Sequence, residues 1–417
     1  MKTPDTLSLK LALMFLAVIL AQALPALAVD FEVETEADTN DGFCSSISNP
    51  IHFVCSLREA IIRTNDLPGK DTIYLPPGTY RLTIPGAGEP LSATGDLNIF
   101  DDLDIVGSGS GVTRIVGDMT DNVFMVFGGP PSPVPHPTIQ FYDLTISGGQ
   151  SGVFAFSADL YLWQSVVQEC GNTPSSDAVL SQDGVVLLAD SVVRRNTGRA
   201  IRVVSGNLLM FRSTVADNLT EGQHAIECGS SIVGIVNSTI AGNRLQGPSN
   251  MGSGYYASSS TTTIDSCTFV GNLPWELGVS SSSGTTTIRN TYVHGDCLPS
   301  SFGHITSEGG NVSTDTLHCN FDHATDTPVS GDPLVMPLGY HGGYTPTMPP
   351  FGSRNLLVDN ANADAHCQLT DQRGIYRSQT SGQCDIGAFE RVSGDFVYFW
   401  GDGFETGDTS LWSSVLP

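Results

Sequence analysis

The chain has 417 residues, a formal charge of −25 and nine cysteines, with 43 acidic against 18 basic side chains. So acidic a molecule repels nucleic acid and anionic lipid, which excludes both as partners. Its length suits a large core or an elongated stack.

Residues 1–28 read as a secretory signal peptide. Lys2 and Lys10 flank a polar start, an apolar core follows from Leu11 to Ala21, and Ala26-Leu27-Ala28 offers small residues at the cleavage position. Gln22 and Pro25 end the apolar run short of the roughly 20 residues a membrane span needs. The mature chain is expected to begin at Val29, to be secreted or held at the bacterial cell surface, and to contain no transmembrane span. It keeps 16 basic and 42 acidic side chains, a formal charge of −26, and Lys70 as its one lysine. Such acidity is mainly a solubility device, although oxygen ligands of this kind can recruit calcium.

All nine cysteines lie beyond the leader, and export favours disulfides between near neighbours: Cys44 with Cys55, Cys367 with Cys384 and, third, Cys297 with Cys319. Cys170, Cys228 and Cys267 form an odd remainder, for which a buried free thiol is expected.

Residues 29–95 form a cap with the first coils. Ser56-Leu57-Arg58-Glu59 is a capping box that opens a helix with Leu57, Ala60 and Ile61 on one side. Such a helix shields the open strand edges of a solenoid end.

From 96 to 300 one pattern recurs: apolar-x-apolar-polar-polar-Ser/Thr-x-apolar. Its small position falls at Ser165, Ser191, Ser213, Ser238, Cys267 and Thr291, with spacings of 26, 22, 25, 29 and 24 residues, each one coil of a parallel β-helix. Val167, Val193, Val215, Ile240, Phe269 and Val293 stand two residues later. Leu162, Leu188, Met210, Ile235, Ile264 and Ile288 stand three residues earlier. These twelve are expected to stack inside, with a corner at the polar residue that breaks the period-two alternation. Five residues past the small position of the last five copies come Asn196, Asn218, Asn243, Asn272 and Asp296. They are read as a repeated left-handed bend and a side-chain ladder between coils. Looser copies at Ile139, Phe141, Leu144 and Ile146, and at Leu103 and Ile105, carry the stack back to Ile73. About ten coils would make a rod on the order of 50 Å long.

Two stretches resemble known families. Cys55-Ser56-Leu57-Arg58-Glu59-Ala60-Ile61, with Phe31-x-Val33-x-Thr35, Asp71-Thr72-Ile73 and Pro77-Gly78-Thr79-Tyr80 around it, resembles the CSLREA-type N-terminal domain of exported bacterial proteins. Asp371-Gln372-Arg373-Gly374 with Cys384-Asp385-Ile386-Gly387-Ala388-Phe389-Glu390 resembles a choice-of-anchor module, assigned here to 301–392. Residues 393–417, with Asp402-Gly403-Phe404-Glu405 and Trp412, look like a terminal sorting motif. The resemblance implies an all-β, right-handed parallel β-helix exported to the cell exterior.

Chemistry is harder to read. Arg194, Arg195, Arg199, Arg202 and Arg212 cluster within nineteen positions and could hold an acidic polysaccharide, or could pair with Asp183, Asp190, Asp217 and Glu221. Trp163, Tyr255, Tyr256, Trp275 and Tyr292 could stack on sugar rings if they share a face. Asp101-Asp102 is assigned to a corner. The nine histidines show no metal-ligand spacing, so no zinc site is expected. The leading expectation is a monomeric, noncatalytic protein that binds carbohydrate or another surface component. The alternative is a polysaccharide lyase or glycoside hydrolase working in a groove around the arginines, with Asp190 and Asp217. A plain structural stalk ranks third.

Overall fold

A computed structural model describes residues 28–392 except 50–52, 130–135, 174, 247–252, 280–283, 299–304, 316, 317, 320, 330, 332, 353, 354, 363–366 and 379–383. Most of the leader and the whole 393–417 tail fall outside these residues. Within them the chain is a right-handed parallel β-helix with three walls. Sheets A and B have eleven strands each and sheet C has eight, with every strand pairing in parallel to its counterpart one coil away. Eight strands in sheet C bound the described three-walled coils, fewer than the ten expected, because the first and last turns pair only in sheets A and B.

The inner files are those predicted. All twelve of the residues named above are fully buried. Each touches its equivalent one coil away, as in Leu162↔Leu188 and Val167↔Val193. Burying a branched aliphatic side chain contributes about 1.5–3 kcal/mol, so these columns are the main attraction between coils.

Corners explain the broken alternation. Gln164, Asp190, Arg212, Asn237, Ser266 and Asn290, each just before the small residue, have φ between 47° and 54°. The chain turns from sheet A to sheet B there. The small residue then forms a ladder of its own. Ser191 Oγ accepts from Ser165 N (3.1 Å), Ser213 Oγ from Ser191 N (3.2 Å) and Ser238 Oγ from Ser213 N (3.2 Å), while Thr291 Oγ1 accepts from Cys267 N (3.2 Å). A hydroxyl on a one-carbon stem reaches the next coil without crowding the turn.

The asparagines behave similarly, but the left-handed residue is the one before them: Arg195, Asp217, Gly242 and Gly271 have φ of 54–70°. Asn218 Oδ1 accepts from Asn196 N (3.0 Å) and Nδ2 (2.9 Å), and the unit repeats from Asn218 to Asn243 and from Asn243 to Asn272. Asp296 does not continue it. The next rung is Glu276, whose carboxylate receives Asn272 N (3.1 Å) and Nδ2, while Asp296 is exposed. The chain turns between Asn272 and the strand Trp275–Val279, so the Glu276 side chain reaches back and the ladder ends four residues on instead of one coil on.

Arginines staple both the cap and the C-terminal segment. The helix α1 (Leu57–Asp66) begins with a complete capping box between Ser56 and Glu59. Arg58 is fully buried, and its guanidinium donates to Asp38 (2.6 and 3.1 Å) and to the carbonyls of Ser92, Gly95 and Asp96. All five of its N–H groups are thereby used, fixing two loops to the cap. Described residues between 345 and 390 lie along the outer side of sheet B. Gln372 reaches Thr214 (2.8 Å) and Thr239 (2.6 Å), Ala388 N reaches Thr268 (3.0 Å), and the buried Arg377 reaches Asn237 (3.0 Å). The Arg373 guanidinium stacks 3.4 Å above the Phe389 ring. Cys44–Cys55, Cys297–Cys319 and Cys367–Cys384 are disulfides, and Cys170, Cys228 and Cys267 are buried free thiols.

Burial lifts Glu276 to about 8, and Asp385, in the C-terminal staple, to about 7. Each carboxyl therefore holds its proton more tightly folded than unfolded, and stability present at low pH is lost as pH rises from about 4 to about 8. Thermal unfolding is expected at higher temperature at pH 5.5 than at pH 8.5. Glu276→Gln, which cannot ionise, should flatten that slope by on the order of 4 kcal/mol, each pH unit being worth about 1.4 kcal/mol.

Candidate functional site

The five arginines do not meet. Arg194 lies on sheet B with Nε donating to Gln168 Oε1 (3.1 Å), and Arg195 is an exposed left-handed corner with φ 54°. Arg199 and Arg202 lie on sheet C. Arg199 is buried, clasps Asp177 with Nε and Nη2 and stands 3.6 Å from Glu227, while Arg202 Nη1 is 3.9 Å from Asp177. Arg212, at the A–B corner, forks onto Asp190 at 2.8 and 2.6 Å. A coil of this length turns through three walls, so residues 194–212 occupy all of them. The shared groove expected around these arginines does not form. Of the acidic partners considered from sequence, Asp190 pairs with Arg212; the partners of Arg199 and Arg202, Asp177 and Glu227, were not among those considered.

Near this cluster His224 is buried and stacks on Tyr256 with ring centroids 4.2 Å apart. Burial, with the charge of Arg199, pushes its imidazole down to about 4, which keeps it neutral near pH 7. Asp101 and Asp102 serve the corner: Asp102 N bonds Asp101 Oδ1 (2.7 Å), and Thr138 N bonds Asp102 Oδ1 (2.7 Å). Cys297, Asp315 and Cys319 place three potential metal-ligating atoms within 4.8 Å, but the two sulfurs are joined in a disulfide.

The aromatic residues divide between inside and outside. Tyr255 and Tyr292 are fully buried; Tyr256 projects from sheet C and Trp163 from sheet A. What sequence reading missed is the company Trp163 keeps. The strands Leu103–Val106, Thr138–Tyr142, Asp159–Trp163, Val185–Ala189, Asn207–Phe211 and Ile232–Val236 lie side by side in sheet A. Their outward positions form files one strand spacing apart. One reads Gln140, Tyr161, Leu187, Leu209; the next reads Tyr142, Trp163, Ala189, Phe211. Tyr142 and Trp163 stack at 6.2 Å with 7° between their planes. Gln140 sets both rings: its Oε1 accepts from Tyr142 Oη (2.8 Å) and Trp163 Nε1 (3.1 Å). With Phe211 39% and Ile232 61% exposed nearby, this wall presents an apolar surface with two fixed, parallel rings.

Three carboxylates on this wall are ion-paired. Asp104 pairs with Lys70 (2.8 Å), Asp190 with Arg212, and Asp265 with Arg289 (2.7 Å).

No family model and no curated protein matches the chain. Among solved structures it is similar to pectate lyase Pel9A, at 12% identity over 88% of this chain and 98% of that one, TM-score 0.49. It is also similar to the A-module of mannuronan C-5 epimerase AlgE4 from Azotobacter vinelandii, at 15% identity over 63% and 87%, TM-score 0.30. A third is lidless DFA-IIIase from Arthrobacter chlorophenolicus A6 with GF2 bound, at 15% over 65% and 92%, TM-score 0.29. The likeness is one of coil architecture, which carries no chemistry with it.

Gln140→Ala removes the acceptor shared by both rings. The emission difference between this variant and a Gln140→Ala, Trp163→Phe double variant is expected to lie to the red of the corresponding wild-type difference. The stability loss should be about 1 kcal/mol, the worth of an ordinary hydrogen bond.

Proposed function

We propose that this chain is an exported, CSLREA-type β-helix protein that binds a polysaccharide on the outer face of sheet A without cleaving it. The observation that carries this reading is the pair of parallel, stacked rings, Tyr142 and Trp163, locked by one glutamine acceptor. A pyranose ring presents a face of axial C–H groups, so it stacks on an aromatic face that is already oriented. Prior orientation removes the entropy loss of ordering the rings on binding. Neighbouring strands repeat about every 4.8 Å, near the length of one sugar unit, which suits a chain lying across the strands.

Charge favours a neutral glycan. The molecule is strongly acidic, and Arg212 and Arg289 beside the face are occupied by Asp190 and Asp265. The acidic polysaccharide considered for the arginine cluster is therefore the weaker ligand class. The same ion pairs support noncatalytic binding, since an acid and a base must be free to exchange protons with the substrate.

The test is an array of neutral and acidic glycans probed with the mature protein, with new reducing and unsaturated ends assayed in parallel. Neutral glycans should bind with no new chain ends. Trp163→Ala and Tyr142→Ala should each lose about tenfold in affinity, a ring contact being worth roughly 1 kcal/mol beyond its buried area. Arg202→Ala on sheet C should bind as wild type. New chain ends would establish an enzyme instead, and silence throughout would favour a structural stalk.

A further inference from the structure

Asp71 begins the second strand of sheet A (Asp71–Tyr74) and is completely buried. Its Oδ1 accepts from the backbone N of Val29 at 2.8 Å; its Oδ2 is buried with no hydrogen-bond partner. The charged groups that face it are acidic: Asp30 from its partner strand and Asp101 from the turn before the next coil. The adjacent Lys70 turns to Asp104 (2.8 Å). A half-satisfied buried carboxylate among like charges is an expensive arrangement. Burial first, and then these two aspartates, raise its pKa to about 6.

Val29 is also the first residue of the mature chain under the export reading, on which the following inference rests. We infer that Val29 is a processing site whose new α-ammonium forms a buried ion pair with Asp71, so that leader removal completes the N-terminal end of the β-helix. A peptidase adds water across the Ala28–Val29 peptide bond. Ala28 leaves with the leader as a carboxylate, and the Val29 amine, with a pKa of about 8 when free, takes up a proton. The same nitrogen that donated one N–H now carries three and a positive charge. One N–H keeps the bond to Oδ1, and another is available to the unpartnered Oδ2.

The strand already holds the nitrogen in place. Thr72 N bonds Val29 O (3.0 Å), Asp30 pairs with Thr72, and Val29 packs against the core. The uncleaved chain offers Asp71 a neutral amide at this position, and the cleaved chain offers it a counter-charge. Because the pair holds the ammonium charged, its stabilisation is present below about pH 8 and is lost as pH rises through the raised amine pKa.

The experiment first reads the N-terminus of the exported protein by mass spectrometry, then compares three mature chains: one starting at Val29, one retaining Ala28, and one starting at an Nα-acetylated Val29. Each is made with Asp71 and with Asp71→Asn. Sequencing should give Val29. The Ala28-retaining and acetylated chains should fold with an equilibrium constant lower by at least about tenfold, as for a broken buried pair. Asp71→Asn should abolish the difference among the three, a result that a merely structural role for Asp71 would not produce. An exported chain starting elsewhere overturns the inference. Absence of cleavage in the cell overturns the export reading itself. Cleavage at Val29 with equal stabilities, or an equal loss in the Asp71→Asn background, overturns the ion pair alone.

Discussion

Every strand of this molecule satisfies its backbone only through the coil before it and the coil after it, and all else follows from that demand. Parallel strands of one coil cannot bond to each other, because they lie on different walls. Residues at a given height of one coil must therefore meet equivalent residues of the next. The aliphatic files inside, the serine hydroxyls at the A–B corner and the asparagine amides past sheet B are three answers to one requirement. Arg58 binds the loops of the cap where the repeat starts, and Arg377 fixes the C-terminal segment along sheet B.

Period two leaves alternate residues outside, where the stack makes few demands on them. Their fate differs by wall. Sheet B is covered by the C-terminal segment through Gln372, Ala388 and Arg377. Sheet C carries the Arg199–Asp177–Glu227 group with Arg202 and Tyr256. Sheet A carries an apolar, aromatic surface whose rings are oriented by hydrogen bonds. Sheet C also carries Phe127 and Phe156 in register, but on sheet A two stacked rings share one side-chain acceptor, Gln140, which is why the functional reading rests there.

What the sequence made legible is what the stack repeats. The twelve inner residues, the broken alternation before Ser191 or Ser213, and the run from Asn196 to Asn272 each recur coil after coil, so a copy-to-copy comparison exposes them. Pairings that occur once are hidden. Trp163 meets Tyr142 because a tight corner and a fixed loop put positions 21 apart in register, and no repeat advertises it. Gln140 looks like any polar residue until both rings are seen on its oxygen. The arginines looked concentrated because sequence distance ignores the walls; within one coil, eighteen residues lead from sheet B through sheet C to the far corner of sheet A. Asp296 failed as a rung because Glu276, with one more methylene and a buried carboxyl, reaches Asn272 first.

The central claim, that ligand lies on sheet A, is tested most directly by hydroxyl-radical footprinting of the mature protein with and without a bound glycan, read residue by residue in a mass spectrometer. Protection of Tyr142, Tyr161, Trp163 and Phe211, with Tyr256 on sheet C unchanged, is the predicted result. Protection centred on Tyr256, or oxidation of the sheet A rings unaltered by bound glycan, would contradict it.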